Sequence, residues 1–381
     1  MQLVINAGSS SLKWALYRFL SSSQPVVEGV FERLNSDDCV LIVDDHSQKV
    51  GLCDIAKALE LLSKEVLVPS LGSSEITSCV HRVVHGADKY SRPVLVSDQV
   101  IADIKEFSVL APLHNPANLS GILACKKFFS SAKQVAIFDT AFHQSIREEI
   151  FLYGIPYELY EKHRIRKYGF HGISHSFITS LLRSRFGRDV DAIIAHLGSG
   201  SSITAVSEGR SVDTTMGFTP LDGVLMSTRS GELDPEIPLF LLRNGHYSVD
   251  ELEELLSKKS GLLGITGHSD MRDIWAAARS GSERDQLALE MLSYRVAYYI
   301  NALKTAVHEP EVLVFTAGMG EQAWYVRKRV CEHLGVSIDE QANKDNEEII
   351  SSEDAKTLVC VLETDEQLHM HHLSASVLQD K

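Results

Sequence analysis

Two charged side chains stand in or directly after apolar runs of the sequence, where a buried site could use them. Arg82 lies inside the apolar run 80–84, and Asp139 directly follows the apolar run 135–138. Burying an isolated charge costs several kcal/mol, so Arg82 needs an anionic partner, which is either an internal carboxylate or the carboxylate or phosphate of a ligand. Asp139 is either a site residue at the end of a buried strand or the cap of the following helix.

Two turns rich in glycine and serine could cradle phosphate oxygens. Residues 8–11 read Gly-Ser-Ser-Ser and residues 198–202 read Gly-Ser-Gly-Ser-Ser, and the N–H groups and hydroxyls of such turns donate to anions. Lys13 could add a point charge beside a β- or γ-phosphate. Asn6 could orient a hydrated Mg²⁺, which prefers oxygen ligands. The alternatives are an ordinary hairpin turn and an asparagine that only caps it.

Six histidines and one further arginine complete the residues considered. His171 and His175 have the i, i+4 spacing of a zinc site, but no third ligand or glutamate base accompanies them, which disfavours zinc. His114 is either a core histidine or a donor to an oxyanion. Arg229, taken alone, is expected to be a solvated loop arginine, and the histidines of 369–372 are expected on an exposed tail.

The elements that must position these residues alternate between strands and helices. Apolar residues 3–5 precede the first Gly-Ser turn, residues 193–197 precede the second, and alternating apolar residues follow each turn. Both segments predict β-hairpins, and their likeness predicts two copies of one unit, as lobes facing each other across a cleft. A capping box at Ser248 and Glu251 predicts a helix start, and residues 287–307 have helical apolar spacing. The fold class expected is therefore α/β.

The composition excludes several classes of protein. The chain has 381 residues, 44% of them hydrophobic, and a formal net charge of −14, so neither nucleic acid nor a membrane is expected as its main partner. Six scattered cysteines and an N-terminus without a leader pattern predict reduced thiols and a cytoplasmic location. P-loop, dinucleotide-binding, serine-hydrolase, zincin and protein-kinase motifs are all missing from the sequence.

Taken together, a set of ordered motifs resembles the acetate kinase family of enzymes that form acyl phosphates. The motifs are Ile5-Asn6-Ala7-Gly8-Ser9-Ser10-Ser11-Leu12-Lys13, His81-Arg82-Val83-Val84-His85-Gly86, Pro112-Leu113-His114-Asn115-Pro116, Phe138-Asp139-Thr140-Ala141-Phe142-His143, Tyr168-Gly169-Phe170-His171-Gly172, Met216-Gly217-Phe218-Thr219-Pro220-Leu221, Ser269-Asp270-Met271-Arg272 and Thr316-Ala317-Gly318-Met319-Gly320-Glu321. The resemblance implies a duplicated actin-like and sugar-kinase-like (RNase H-like) fold. One lobe would span residues 1–143 plus 368–381, and the second, with most nucleotide contacts, residues 144–367.

The resemblance also implies an activity. The reaction would be reversible phosphoryl transfer from ATP to acetate by direct in-line attack, giving acetyl phosphate and ADP. The cofactor would be Mg²⁺, with Mn²⁺ as the alternative ion, and the assembly would be a homodimer.

The same resemblance implies a role for each matched residue. Arg82 and Arg229 would hold carboxylate and phosphoryl oxygens, His171 would stabilise the transition state, and Asp139 would be the essential acidic group near the carboxylate. Asn6 and Glu366 would form the magnesium site. The substrate-binding residues would be Arg82, Val84, Leu113, His114, Phe170 and Pro220. The nucleotide contacts would be Lys13, His196, Leu197, Gly198, Ser199, Gly200, Asp270, Met271, Arg272, Gly318, Met319, Gly320, Glu321 and Gln322.

The sequence departs from the family pattern at two of these positions and in its tail. Ser199 and Gln322 stand where asparagine is usual, and both changes bear on nucleotide affinity or on the choice of nucleoside triphosphate. A bulky Val84 favours acetate over longer acids, although one methylene is worth only about 1–3 kcal/mol in an apolar pocket. Two other functions stay open: a propionate or butyrate kinase of this family, and a nucleotide-binding actin-like scaffold without catalysis.

Overall fold

A computed structural model describes residues 1–44, 46–67 and 75–379 of the chain. The chain divides into two units, one made of Met1–Phe142 with Asp365–Lys381 and the other of His143–Thr364. The expected first lobe included residues 380–381, which lie outside the described residues. Each unit contains one β-sheet with helices packed on it.

The first unit is built on an eight-stranded sheet. Its strands, in the spatial order β5-β4-β3-β2-β1-β6-β8-β7, are β1 (Gln2–Ala7), β2 (Ser11–Tyr17), β3 (Val27–Glu32), β4 (Val40–Val43), β5 (His46–Lys49), β6 (Ser78–Val83), β7 (Val94–Leu95) and β8 (Lys133–Phe138). Strands β1, β6 and β8 are parallel to one another, while β2 is antiparallel to β1 and to β3. The predicted first hairpin is therefore present as β1 and β2.

The second unit is built on a five-stranded sheet. Its strands, in the spatial order β11-β10-β9-β12-β13, are β9 (Ala192–Leu197), β10 (Ser201–Ser207), β11 (Arg210–Thr214), β12 (Val312–Thr316) and β13 (Leu358–Val361). Strands β9, β12 and β13 are parallel, and β10 is antiparallel to β9 and to β11. The predicted second hairpin is therefore present as β9 and β10.

The two sheets repeat one topology. In the first sheet the series β3-β2-β1-β6-β8 has a single strand, β2, that runs against the others, and in the second sheet β11-β10-β9-β12-β13 has β10 in the same place. Both series begin with three antiparallel strands and continue with two strands parallel to the third. The sequence prediction of two copies of one α/β unit is confirmed, and the arrangement is the duplicated actin-like fold.

Fifteen helices occur among the described residues: α1 (Ile55–Leu61), α2 (Asp98–Glu106), α3 (Asn115–Phe128), α4 (Glu148–Phe151), α5 (Tyr157–His163), α6 (Gly172–Phe186), α7 (Glu236–Arg243), α8 (Val249–Lys258), α9 (Gly261–Thr266), α10 (Met271–Arg279), α11 (Glu283–Val307), α12 (Ala317–Gln322), α13 (Trp324–Leu334), α14 (Glu340–Lys344) and α15 (Glu366–Leu378). A π-helical turn (Leu62–Leu67) follows α1, and 3₁₀ turns occupy Phe107–Val109 and Ala141–Ser145. The capping box is present at the start of α8, because Ser248 and Glu251 exchange side-chain and backbone hydrogen bonds.

Residue alternation decides what covers each face of the first sheet. Leu3 and Ile5 of β1 belong to a buried cluster with residues of α1 and α3. Their neighbour Gln2 points to the opposite face, where it contacts Ser374 and His371 of α15. In a strand successive side chains point to opposite faces, so one face of the sheet is covered by α1 and α3 and the other by α15.

The C-terminal histidines differ from the sequence expectation. His369 and His371 are buried on α15, so the prediction of an exposed tail is wrong for both, whereas His372 is exposed. The ring of His371 stacks on Tyr17 with 4.0 Å between centroids. The face of α15 that packs on the sheet carries histidines where aliphatic residues are usual. The periodicity of apolar residues in the sequence therefore could not identify this face.

The second unit has its core around α11. Apolar residues of α11, among them Leu292, Val296 and Ile300, pack in one cluster with β9, β10, β12 and α13. This helix begins at Glu283, four residues before the predicted span. All six cysteines are buried and unpaired. Within the described residues, no helix combines the length and apolar character needed to cross a bilayer.

Candidate active site

Three neighbouring strands of the first unit bring polar residues to one edge of the sheet. Asn6 lies near the end of β1, Arg82 near the end of β6, and Asp139 directly follows β8. The register pairs Ile5 with His81 and Arg82 with Ile137, so the three polar side chains lie within two residues of the same level. Because parallel strands end at the same edge, residues distant in sequence form one cluster.

Arg82 joins this cluster through three hydrogen bonds. Its Nε donates to Oδ2 of Asp139 at 3.0 Å, its Nη2 donates to the same oxygen, and its Nη1 donates to Oδ1 of Asn6 at 3.2 Å. The Asp139 side chain is 1% exposed and that of Arg82 is 19% exposed. Of the two partners that the sequence left open for Arg82, an internal carboxylate is present, and it is that of Asp139.

The charge of Arg82 is stabilised although the residue is largely enclosed. Burial alone would lower the pKa of the guanidinium, but the carboxylates of Asp139 and Glu366 outweigh burial and raise it. Glu366 lies in the first turn of α15. Two acidic groups thus surround one arginine, and all three belong to the first unit.

The donor set around Asn6 suits a small hard cation that is held only partly by protein. Mg²⁺ usually takes one or two protein oxygens and completes its shell with water and phosphate oxygens. Asn6 offers an amide oxygen and Glu366 a carboxylate, both near Arg82. Among the described residues, no group of three His, Cys, Asp or Glu side chains forms a full metal cage. The residues present therefore fit a divalent ion such as Mg²⁺ that takes most of its ligands from water and phosphate oxygens.

The other predicted residues of the first unit lie on or near the same strands. Lys13 is the cross-strand partner of Asn6, so the two side chains share a face, and Lys13 is exposed. Val84 follows β6, is buried, and donates its N–H to Oδ1 of Asn118 at 3.0 Å. Leu113 is 43% exposed, and His114 occupies the N-cap position of α3.

In the second unit, His171 and Arg229 converge on the glycine-serine turn. A Cβ placed on Gly200 would lie 3.3 Å from Nε2 of His171 and 3.3 Å from Nη1 of Arg229. His171 is the N-cap of α6 and has a left-handed backbone with φ of +56°, which is uncommon for a non-glycine residue. Arg229 is partly buried, and its Nη1 donates to the carbonyl of Pro220 at 3.3 Å. It is therefore not the fully solvated loop arginine that its local sequence suggested.

A second histidine lies against the first. The rings of His171 and His196 stack with 4.3 Å between centroids. Nδ1 of His196 hydrogen-bonds to Ser174 of α6 at 2.8 Å, and Ser174 also hydrogen-bonds to Thr364. The neighbouring Phe170 is buried, as is Leu197 at the end of β9. The end of β9 and the start of α6 are thus tied together where the turn begins.

A pocket of about 830 Å³ in the second unit collects most of the predicted nucleotide contacts. Its lining contains Gly198, Ser199, Asp270, Met271, Arg272, Gly318, Met319 and Gln322. Both positions where the sequence departs from the family pattern are in that list. Of the other predicted contacts, Leu197, Gly200, Gly320 and Glu321 are adjacent in sequence to lining residues and His196 is two residues from Gly198, while Lys13 belongs to the first unit.

Sequence reasoning missed the aromatic wall of this pocket. Trp275, Trp324 and Tyr325 line it, together with Ser227, Thr228, Ser269 and Ala323. The rings of Trp275 and Tyr325 are stacked, with centroids 4.1 Å apart and planes 5° from parallel. A flat apolar wall of this kind suits a nucleotide base, whose faces stack on aromatic rings. The signal available in the sequence was the pair Trp324-Tyr325 directly after the glycine-rich segment.

A buried arginine fixes the glycine-rich segment of the pocket. Arg327 is fully buried and donates to the carbonyls of Gly320 at 2.8 Å and Glu321 at 2.7 Å, at the end of α12. It also donates to Asn343 and Asn346 near α14. Burial lowers the pKa of this guanidinium to about 10. No local pattern around Arg327 predicts this role.

Glu321 faces the interior of the second unit. Its carboxylate accepts from the N–H of Thr364 at 3.2 Å and from the hydroxyl of Thr316 at 3.4 Å. Burial is the main cause that raises the pKa of this carboxyl group. The carboxylate of Glu321 is therefore tied to the end of β12 and to the segment after β13.

Comparisons with known proteins agree in pointing to one family. A model of the Acetokinase family matches residues 1–372. The acetate kinase of Clostridium novyi is 43% identical over 383 residues, which cover 96% of this chain and 95% of that protein. Among solved structures, a propionate kinase from Francisella tularensis has a TM-score of 0.94 at 40% identity, with 98% of each chain covered. Porphyromonas gingivalis acetate kinase has a TM-score of 0.90 at 36% identity, with 99% of each chain covered.

Proposed function

The chain belongs to the acetokinase family, and on that premise we propose that it transfers the γ-phosphoryl group of ATP to acetate in a reversible reaction that yields acetyl phosphate and ADP. The observation that carries the proposal is Arg82, a largely enclosed guanidinium held among Asn6, Asp139 and Glu366. A buried ion pair often adds no stability over apolar residues of similar volume, so its presence suggests a purpose beyond packing. Binding an anionic substrate is such a purpose.

The chemistry of the reaction explains why cations are needed. Acetate is already a nucleophile at pH 7, so the enzyme has little proton abstraction to perform. One carboxylate oxygen attacks the γ-phosphorus in line, the bond from that phosphorus to the β,γ-bridging oxygen breaks, and ADP leaves with the bonding pair. The transition state is loose and spreads negative charge over three equatorial oxygens. Catalysis then consists mainly of orienting two anions and neutralising that charge.

The proposed roles follow from the side chains that the two units carry. Arg82 and Arg229 hold carboxylate and phosphoryl oxygens, because a guanidinium donates in a planar fork that suits both groups. His171 donates to a phosphoryl oxygen in the transition state. Asp139 holds Arg82 in place through the ion pair described above, and it is the essential acidic group near the carboxylate.

The nucleotide is assigned to the 830 Å³ pocket of the second unit. The Gly198–Gly200 turn offers backbone N–H groups to phosphate oxygens, and the stacked Trp275 and Tyr325 offer a wall for the base. Lys13, which shares a face with Asn6, supplies a point charge for a terminal phosphate. Ser199 and Gln322 are the lining residues through which nucleotide choice can differ from that of relatives.

We assign Asn6 and Glu366 to the divalent cation that accompanies the nucleotide, with Mg²⁺ as the proposed ion and Mn²⁺ as the alternative. The donor set supports this assignment, because both residues offer oxygen ligands near Arg82, and Mg²⁺ completes its shell with water and phosphate oxygens. When bound, the ion supplies positive charge beside the terminal phosphates. Asn6 Oδ1 is kept oriented by its hydrogen bond from Arg82.

The acid that this chain prefers is proposed to be acetate, with Val84, Leu113, His114, Phe170 and Pro220 as further substrate contacts. Val84 and Phe170 are buried apolar residues. A propionate or butyrate kinase is the alternative. Initial rates with acetate, propionate and butyrate at saturating Mg-ATP decide between them. We expect kcat/KM to fall by about 10-fold or more for each added methylene, and a higher kcat/KM for propionate than for acetate would contradict the acetate assignment.

A nucleotide-binding scaffold without catalysis is the alternative from another class. The ion pair of Arg82 with Asp139, and the convergence of His171 and Arg229 on Gly200, argue against it, because a scaffold has no use for these charged groups. ATP consumption that does not increase on addition of any short carboxylic acid would favour the scaffold.

We further propose a homodimer in the cytoplasm. Leu287, Met291, Tyr294 and Tyr298 form an exposed apolar stripe along α11, and an exposed stripe of this kind is typical of a protein interface. Six unpaired thiols suit a reducing compartment. Light scattering should give the mass of two chains, and Tyr294→Asp should lower it to one. A single-chain mass for the unaltered protein at micromolar concentration would contradict the dimer.

A further inference from the structure

A buried hydroxyl and a second imidazole hold the ring of His171. Oγ of Ser202 lies 3.0 Å from Nδ1 of His171 and 2.7 Å from Nε2 of His175. Ser202 and His175 are both fully buried. All three residues belong to the second unit, and neither Ser202 nor His175 has a role in the function proposed above.

The hydroxyl of Ser202 carries one proton and two lone pairs, and its hydrogen bonds within the described part of the chain are those to the two imidazoles. Accepting from both rings would leave its buried proton without an acceptor. It therefore donates to one imidazole and accepts from the other, which leaves two arrangements. In one arrangement His175 donates to Ser202 and Ser202 donates to Nδ1 of His171. In the other arrangement both bonds are reversed. The protonation of His175 therefore decides which nitrogen of His171 carries its proton.

His175 favours the first arrangement. Burial lowers its pKa well below the usual value, so the ring is neutral and has one N–H. Its Nδ1 finds no hydrogen-bond partner in the described part of the chain. A proton on Nδ1 would be a buried donor without an acceptor, which is rarer in proteins than an acceptor without a donor. The proton therefore belongs on Nε2, where it is donated to Ser202.

We propose that Ser202 and His175 are positioning residues that fix His171 in the tautomer with its proton on Nε2. With Ser202 donating to Nδ1, the only N–H of a neutral His171 is on Nε2. Like Nη1 of Arg229, this atom lies 3.3 Å from the position that a Cβ on Gly200 would take. This inference rests on the proposed function, in which His171 donates to a phosphoryl oxygen. The two hydrogen bonds, from His175 to Ser202 and from Ser202 to His171, ensure that the His171 ring presents a donor to that oxygen.

The reversed arrangement would oppose the reaction. Nδ1 of His171 would then carry the proton and donate to Ser202, and Nε2 would present a lone pair to the phosphoryl oxygens. A lone pair beside developing negative charge raises the energy of the transition state, whereas an N–H lowers it. The partner of one ring nitrogen thus sets the chemistry of the other.

The first test reads the tautomer directly. ¹⁵N NMR of the full chain with labelled histidine, at a pH where the ring is neutral, distinguishes protonated from unprotonated imidazole nitrogens. The signals of His171 are assigned by their loss in His171→Gln. We expect a protonated Nε2 and an unprotonated Nδ1, and a protonated Nδ1 with a bare Nε2 would overturn the proposal. This readout stands even if the chain makes no acetyl phosphate, an outcome that would instead contradict the proposed function.

The second test separates positioning from stability. Ser202→Ala should lower kcat by about 10–100-fold, as loss of a histidine-orienting partner does elsewhere, with little change in KM for ATP or acetate. Ser202→Thr keeps a hydroxyl and should retain most of the activity. His175→Gln keeps an N–H near the position of Nε2 and should be more active than His175→Phe.

The matched control is Ser211→Ala. Ser211 is also a fully buried serine that hydrogen-bonds a histidine, Nδ1 of His143 at 2.8 Å. Its loss should cost similar stability and leave kcat unchanged. A folded Ser202→Ala variant with the kcat of the unaltered protein would overturn the proposal, as would equal losses of kcat in Ser202→Ala and Ser211→Ala.

Discussion

At the scale of single residues, the first unit keeps a charged pair where an apolar pair would pack at lower cost. Asp139 is fully buried, and Arg82 donates to it through two nitrogens. Replacing such a pair by apolar residues is often neutral or stabilising, whereas removing one partner leaves a buried charge alone. The pair is therefore better explained by the substrate that Arg82 can bind than by the stability it provides.

This explanation predicts separate effects of Arg82 on activity and on stability. Arg82→Ala should lower kcat by about 10²–10³-fold, because one electrostatic donor to the transition state is lost. It should also lower the free energy of unfolding by about 3 kcal/mol, because Asp139 is left without its partner. Steady-state kinetics and urea unfolding measure the two effects.

The double variant and a surface control complete that test. Arg82→Ala with Asp139→Ala should regain much of the stability, since neither charge remains, but none of the activity. Arg92→Ala removes an exposed arginine of the same unit and should change neither quantity. Recovery of activity in the double variant would show that Arg82 serves only to neutralise Asp139.

At the scale of elements, the turn between β9 and β10 is shaped by what lies against it. Gly200→Ala would put a methyl group 3.3 Å from His171 and Arg229. We expect kcat to fall by about 10²-fold, because small displacements of catalytic groups are costly, while the melting temperature changes little. Gly154→Ala is the control, because nothing lies within 4 Å of the added carbon. Equal kcat values for Gly200→Ala and Gly154→Ala would contradict a role of this turn in catalysis.

The polar contacts of Arg327 give a second prediction at this scale. Arg327→Met would leave the carbonyls of Gly320 and Glu321 without their buried donor. We expect a loss of about 3 kcal/mol in the free energy of unfolding and a higher KM for ATP, measured by denaturation and by kinetics. Lys328→Met, on the same helix but facing Glu340, should cost less than about 0.5 kcal/mol. Similar losses of unfolding free energy in both variants would contradict a special role for the contacts of Arg327 with Gly320 and Glu321.

The sequence predicted those elements whose signals are local. Both hairpins, the helix cap at Ser248 and the strands before Asp139 and Thr316 follow from short patterns of residue type. Arg327, Ser202 and Trp275 could not be recognised in this way, because their partners lie elsewhere in the chain. The buried His369 was missed since a polar residue gives no apolar periodicity.

At the scale of the whole molecule, several histidines are built into the fold in neutral form. Nε2 of His81 hydrogen-bonds to Gln134, Nδ1 of His85 accepts from a backbone N–H, and both ring nitrogens of His143 are hydrogen-bonded. Burial lowers the pKa of His81 to about 4, of His85 to about 3 and of His143 to about 4. In the unfolded chain these groups titrate near pH 6.5.

Stability is therefore expected to fall on acidification. Between about pH 6.5 and pH 4 the unfolded chain binds protons that the folded chain refuses, so each such histidine removes up to about 1.4 kcal/mol of stability per pH unit. Above pH 7 the contribution is complete and constant. Urea midpoints at pH 7.5, 6.0 and 5.0 measure the effect. A midpoint that does not change over this range would contradict the neutral, buried state of these rings.

The duplicated fold gives each unit the same strand edge with different chemistry. The level that Asn6 and Lys13 occupy in the first hairpin is occupied by His196 and Ser202 in the second. One unit thus carries an arginine with acidic and amide groups, and the other carries histidines beside a nucleotide-sized pocket. The two units thus share one strand topology and differ in the residues at the strand ends. This difference supplies the arginine cluster in one unit and the histidines in the other.

The formation of acetyl hydroxamate tests the central claim most directly. The purified chain is incubated with Mg-ATP, acetate and hydroxylamine, which traps acetyl phosphate as it forms, and the product is measured against an Arg229→Ala control. We predict a product that requires both ATP and acetate and that falls by about 10²-fold or more in the control. No product above the control would contradict phosphoryl transfer to a carboxylate by this protein.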